Sequence, residues 1–367
     1  MLKSRYLMIG GFLGAGKTTA ILQLARRFQA AGLRVGLITN DQSVGLADTA
    51  VLDANGFATE EITGGCFCCK FNSLVEAAER LTAETRPDVL IAEPVGSCTD
   101  LQATVGFPLR KLYGERFAVA PLSVLVDPLR AQSILGLTTG KKFSSKVVYI
   151  YEKQLEEAEL LIINKVDLLP ANEIAALEAA LLARWPHLQV LKISARTGAG
   201  IDAWADWLET STAGSEDAMD VDYDTYADGE ALLGWLNLSA ELSGAEFDGN
   251  AFALALAAAI QRDLCRDDLE IAHLKLTLSP ATGNDLAAAN LIRSEGRPEL
   301  SHRLAAPLAE GELLVNVRAE ADPERIRAGV LNRLREVCDS ASLGLNLRTV
   351  EAFRPGRPQP THRLARA

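Results

Sequence analysis

The eight residues Gly11-Phe12-Leu13-Gly14-Ala15-Gly16-Lys17-Thr18 constrain this chain more than any other stretch. They match G-x-x-x-x-G-K-[ST], with an apolar run, YLMIG at 6–10, before them and a helical pattern from Lys17 to about residue 31 after them. Glycines let successive backbone N–H groups curve around phosphate oxygens without Cβ clashes. The following helix aims its N-terminal dipole at the same charge. In such a cradle Gly11, Gly14, Ala15 and Gly16 supply backbone, Lys17 reaches the β- and γ-phosphates, and the Thr18 hydroxyl sits on Mg²⁺ with Thr19 beside it. A strand, loop and helix in this order belong in a sheet whose faces are covered by helices.

The rest of the first half fits that sheet. RVGLIT (34–39), DVLIAE (88–93), LSVLVD (122–127), ELLIIN (159–164) and LQVLKIS (188–194) are continuous apolar runs rather than alternating ones, as expected of strands buried on both faces. Helical stretches at 73–84, 171–185 and 201–210 separate or follow several of them. The expected fold class is therefore α/β, a P-loop NTPase domain with a mainly parallel sheet over 1–212. An acidic segment follows at 213–230, with seven acids between Glu216 and Glu230, and reads as a solvated linker. Residues 231–353 then run strand, helix, strand, an irregular stretch, strand, helix, strand. That order predicts a smaller α+β domain of ferredoxin-like type. The stretch 354–367 is basic and proline-rich and reads as extended or disordered.

Two further elements refine the nucleotide reading. Asn164-Lys165-Val166-Asp167 follows an apolar strand, as the guanine-reading N-K-x-D element does. The Asp167 carboxylate can accept from both the ring N–H and the exocyclic amine of guanine, and adenine offers no matching pair. The Lys165 stem can cover the base face and Asn164 can brace the loop. Ser194-Ala195, after the next strand, resembles the second guanine loop, where a backbone N–H meets the base oxygen. Glu93-x-x-Gly96 closes another apolar strand. An acid there holds the Mg²⁺ shell or orients the attacking water, so Glu93 joins Lys17 as a candidate catalytic residue. Asp41, just after RVGLIT, stands where a first switch would begin and is a candidate catalytic or metal-binding acid.

Three of the six cysteines, Cys66, Cys68 and Cys69, lie within four positions of the glycine-flanked loop GGCFCC. Thiolates are soft ligands that suit Zn²⁺ or Cu⁺, and Co²⁺ or Ni²⁺ less selectively. Three of them leave room for one exchangeable ligand, which suits a metal carrier better than a closed structural site. A redox sensor is the competing reading. Cys98, Cys265 and Cys338 read as buried packing residues. No disulfide spacing is visible, and the N-terminal apolar run ends in a glycine loop rather than a cleavage site. Both point to a reducing cytoplasm.

Phosphate loop, GGCFCC, ExxG and NKVD, in this order over about residues 5–210, resemble the CobW-type GTPases, of the same class as the nickel and urease accessory GTPases. The resemblance implies a GTP-dependent metallochaperone that carries Zn²⁺ or Co²⁺ on the CxCC loop. It would deliver that metal to a client metalloenzyme or to a cobalamin or corrinoid system. Relative to the family's N-E-F-G-E first switch, this chain reads Asn40-Asp41-Gln42-Ser43-Val44. Two alternatives compete with the metal-carrier reading: a nucleotide-switched client-binding module without metal, and a P-loop small-molecule kinase. The kinase would gain nothing from NKVD. A net charge of −11 argues against nucleic acid or an anionic membrane as partner. The longest later apolar stretch, 252–260, is too short to span a bilayer. A homo-oligomer is compatible with all of this.

Overall fold

The computed structural model describes residues 3–40, 52, 55–139, 142–283 and 285–366. Asp41 and the rest of the first-switch reading at 42–44 lie outside the described residues. The chain forms two compact units. The first comprises the described residues before Asp41, Phe57–Ala227 and the segment from Pro358; the second is built on Asp228–Arg357.

In the first unit the strands are β1 (Ser4–Gly11), β2 (Val35–Asn40), β3 (Ala58–Ile62), β4 (Val89–Glu93), β5 (Phe117–Val119), β6 (Ser123–Val126), β7 (Leu160–Ile163) and β8 (Gln189–Lys192). They form one parallel sheet in the order β3-β2-β4-β1-β6-β7-β8, with β5 beside β1. The helices are α1 (Lys17–Ala30), α2 (Phe71–Thr85), α3 (Phe107–Tyr113), α4 (Pro128–Ile134), α5 (Ser145–Glu156), α6 (Ala171–Arg184) and α7 (Ile201–Thr210). The parallel α/β expectation is met, and the central strands β1, β4, β6 and β7 are almost wholly buried, as their continuous apolar runs require. Periodicity did not reveal β3 and β5. The first is a mixed-polarity edge strand and the second has only three residues. All strands point the same way, so the loops after β1, β2, β4, β7 and β8 gather at one end of the sheet, where ligands of such sheets bind.

A five-residue π-helical turn, Gln102–Gly106, leads into α3. It is held from below by Glu157, which is 7 % exposed and accepts from Gln102 N–H (3.1 Å) and Thr99 Oγ1 (3.2 Å). Burial outweighs those two bonds and pushes the carboxyl up to about 8. The folded state therefore keeps a proton that the unfolded chain releases near 4.5. This group's contribution is greatest below that pH and is lost as pH rises to about 8. Between pH 6 and 8.5, urea unfolding should show the wild type losing about 2 kcal/mol more than Glu157→Gln. Equal losses in the two proteins would refute the assignment.

The acidic segment carries a helix of its own, α8 (Tyr223–Leu232). Asp222 caps it, accepting from Asp224 N–H at 3.0 Å and Thr225 Oγ1 at 2.6 Å, and Tyr226 is buried.

The second unit contains β9 (Leu233–Phe247), α9 (Gly249–Arg266), β10 (Glu270–Pro280), β11 (Ala287–Leu291), β12 (Glu299–His302), β13 (Leu308–Glu320), α10 (Pro323–Ser340) and β14 (Gly344–Phe353). Its antiparallel sheet runs β12-β11-β10-β13-β9-β14. The four strands β14-β9-β13-β10 have the ferredoxin-like order. The stretch read as irregular holds the added strands β11 and β12. Alternate residues such as Leu236, Leu238, Leu274, Leu276, Val315 and Val317 share one core with Phe252 and Leu256 of α9 and with Ile326, Val330 and Cys338 of α10. The opposite parity carries a polar row: Arg318 lies 4.0 Å over the Trp235 ring and Asn316 donates to Asn237 at 2.9 Å. Cys265 is a correction. It is exposed rather than buried, on the side of α9 turned from this core, with its thiol 3.5 Å from the Ser294 carbonyl.

Candidate functional site

The phosphate loop joins β1 to α1. Gly11, Gly14 and Gly16 have φ of +131°, +80° and +88°. A Cβ on Gly16 would stand 2.6 Å from Asn164 Nδ2, so only glycine permits the contact that follows. Asn164 Nδ2 donates to the Ala15 carbonyl (2.9 Å), while its Oδ1 accepts from Lys165 N–H (2.7 Å) and Ala195 N–H (3.0 Å). One side-chain amide thus ties together the phosphate loop, the NKVD loop and the Ser194-Ala195 loop. Lys165, at φ +56°, reaches across to donate to the Gly14 carbonyl at 2.7 Å. Its ammonium also pairs with Asp127 at 3.0 Å. Burial is the largest single influence and would raise the Asp127 carboxyl, but the Lys165 charge and hydrogen bond together with the Arg130 N–H and charge outweigh it and hold the group below the ordinary carboxylate range.

Lys17 Nζ donates to the Gly11 carbonyl (2.9 Å) and lies 4.0 Å from Glu93 Oε1. The Thr18 hydroxyl donates to the same oxygen at 3.3 Å. Gly96 follows closely packed, since a Cβ there would meet Leu13 N at 3.0 Å. The first turn of α1 contains no acid, which leaves its N–H groups and dipole to an anion. Thr19 is half-buried in that turn. Asp167 is exposed and accepts from Ser194 Oγ at 2.6 Å, which fixes one carboxylate oxygen.

The three cysteine sulfurs converge without a disulfide. Cys66 Sγ lies 2.9 Å from Cys68 Sγ and 3.3 Å from Cys69 Sγ, and the last two are 3.7 Å apart. A tetrahedral thiolate site with metal–sulfur bonds of about 2.3 Å has edges of about 3.8 Å, so a small expansion admits an ion. Hydrogen bonding with Cys68 and then Cys69 favours the Cys66 thiolate, against the opposing effect of burial. The same contacts raise Cys68, and sharing with Cys66 raises Cys69. Cys98 is buried, as its packing reading expects, and it also lies against Cys66 as a hydrogen-bonding neighbour of the cluster.

Two positioning residues escaped the sequence reading. Asn40, at the end of β2, donates to the carbonyls of Ile62 (3.0 Å) and Gly65 (2.8 Å) and accepts from Phe67 N–H (2.8 Å), so it shapes the cysteine loop. Asp127 positions Lys165. Its signal in the sequence was an acid closing an apolar strand just before Pro128, where it also caps α4 through Arg130 N–H at 2.9 Å.

Parallel sheet, phosphate loop, Glu93 and the Asn164 loop define a P-loop protein of the GTPase-like class. The sequence profile described as CobW/HypB/UreG, nucleotide-binding domain, matches residues 5–192, more than half of the chain, and the chain belongs to that family. The zinc chaperone CobW of a Sinorhizobium species is 30% identical over 193 residues, which cover 46% of this chain and 52% of that protein. The hydrogenase maturation factor HypB of Escherichia coli K12 is 30% identical over 200 residues, covering 54% and 60%. The chain spans about half the length of the curated relatives it matches. Among solved structures, the Zn(II)-bound YjiA GTPase of E. coli aligns over 90% of this chain and 99% of its own, at 15% identity and a TM-score of 0.39. Among the described residues no helix is long and apolar enough to cross a membrane.

Proposed function

We propose that this chain is a GTP-hydrolysing metallochaperone that carries one transition-metal ion on Cys66, Cys68 and Cys69 and hands it to a client protein. One observation carries the reading: three free sulfurs converge within 3.7 Å in the same compact unit as the assembled nucleotide loops. Zn²⁺ is the favoured cargo, because three thiolates suit it and two relatives are named zinc chaperones. Co²⁺ destined for a corrinoid system is the other arm of the same metal analysis.

Each nucleotide residue has a distinct task. Backbone N–H groups of residues 14–18 and the Lys17 ammonium bind the phosphates, and Asp167 reads the guanine edge with Ser194 and Ala195 behind it. Thr18 and Glu93 present hard oxygens 3.3 Å apart, a donor set that fits Mg²⁺. The ion, when bound, neutralises charge on the phosphates. Glu93 then orients the attacking water from the end of β4. The chain should hydrolyse GTP slowly and release its metal to a chelator in step with hydrolysis. Glu93→Gln should still bind GTP and slow both phosphate release and metal transfer by about 100-fold. Metal transfer that proceeds equally fast with GDP, with a non-hydrolysable analogue and in Glu93→Gln would sink the proposal.

A further inference from the structure

The basic, proline-rich segment of the first unit lies across the cysteine loop. Gln359 N–H donates to Cys69 Sγ at 3.2 Å. Thr361 donates through its N–H to the Cys68 carbonyl (2.8 Å) and through its hydroxyl to the Cys69 carbonyl (3.1 Å). The His362 ring stands edge-on to Phe71, centroids 5.0 Å apart. Arg363 Nε then pairs at 2.7 Å with Asp100, which is 1 % exposed, and Leu364 N–H donates to the Ala103 carbonyl at 2.9 Å. Further along, Ala218 N–H donates to the Ala365 carbonyl at 2.9 Å and Arg366 pairs with Asp217 at 2.9 Å.

These contacts are not those of a passive tail. Cys66 and Cys68 are buried, and Cys69 is the one cluster residue with partial exposure. The segment therefore bonds to the sulfur through which the cluster meets its surroundings. Pro358 and Pro360 restrict the backbone on both sides of Gln359 to extended conformations, so little entropy is lost in holding its N–H toward the sulfur. Asp100 supplies the strongest anchor, a charge-assisted bond to a buried carboxylate that also accepts from Tyr223 Oη at 2.7 Å.

We infer that residues 358–366 are a displaceable cover of the metal-binding cysteine loop, latched by Arg363 on Asp100, and that the loop exchanges metal or reacts only when the cover lifts. The inference rests on the cysteine loop as the cargo site, but the cover itself can be tested without metal. Metal-free full-length protein is treated with iodoacetamide, and labelling is followed by mass spectrometry at each cysteine. Cys265, exposed on the second unit, is the internal reference. Arg363→Ala should raise the labelling rate at Cys69 by about 10-fold, the scale of one charge-assisted bond, and leave Cys265 unchanged. Gln359→Pro keeps the extended backbone, removes only the N–H donor, and should also raise the rate at Cys69. It keeps the test open if the arginine variant folds poorly. Rates at Cys69 unchanged in both variants, or raised equally at Cys265, would overturn the cover. A protein that bound no metal would still give this readout, so the two failures are separable.

Discussion

Replacing Cys66, Cys68 and Cys69 together by serine is expected to abolish metal binding, from about one Zn²⁺ per chain to none retained through gel filtration, with GTP affinity preserved. Three sulfur ligands supply nearly all of the affinity, and hydroxyls are hard, weakly basic donors that do not replace thiolates for Zn²⁺. The loop itself should survive, because its shape is set by backbone bonds such as Cys69 N–H and Lys70 N–H to the Cys66 carbonyl and by the Asn40 amide, not by the sulfurs. Metal analysis of purified protein gives the answer directly. Retention of a full equivalent of Zn²⁺ by the triple variant would remove the chaperone reading and leave a nucleotide switch.

The second large effect concerns the base. Asp167→Asn should lower GTP affinity by about 100-fold and improve binding of xanthosine triphosphate, measured by competition against a fluorescent nucleotide. In the proposed role the carboxylate would accept from two guanine donors, and bonds to charged groups contribute about 1.5–3 kcal/mol each. An amide in its place turns one acceptor into a donor, which faces the guanine amine badly and the xanthine oxygen well. Ser194 Oγ, 2.6 Å from one Asp167 oxygen, would hold the amide oxygen inward and leave the amide nitrogen toward the base. Unchanged preference for GTP over its xanthine analogue would remove Asp167 from base recognition.

The loop at 11–18 between a strand and a helix, and the NKVD loop after its own strand, were legible in the sequence because each is a contiguous segment with its own spacing. The parallel sheet followed from continuous apolar runs, and the ferredoxin-like order from the alternation of elements after residue 231. What could not be read were relations between segments far apart in the chain. Nothing local marks Asn40 as the organiser of a loop that begins at Gly64. Cys98 looked like any buried cysteine until folding set it beside Cys66. The short strands β11 and β12 hid in a polar stretch because they are added edge strands with a weak pattern. The segment after residue 357 has the composition of a disordered tail. Its order comes from Asp100 and the cysteine loop, which supply the partners its own sequence lacks.

The separation of 290 positions between Gln359 and Cys69 has a consequence for biosynthesis. Chains grow at about 5–20 residues per second, so the cysteine loop is made about 15–60 s before the segment that lies over it. For that interval Cys69, the partly exposed member of the cluster, lacks the bond from Gln359. The nucleotide cradle waits as well, since Ala15 and its brace Asn164 are 149 positions apart. Capture of an ion or of an oxidant is therefore least guarded on the ribosome, and the finished protein is the more protected form of the same loop.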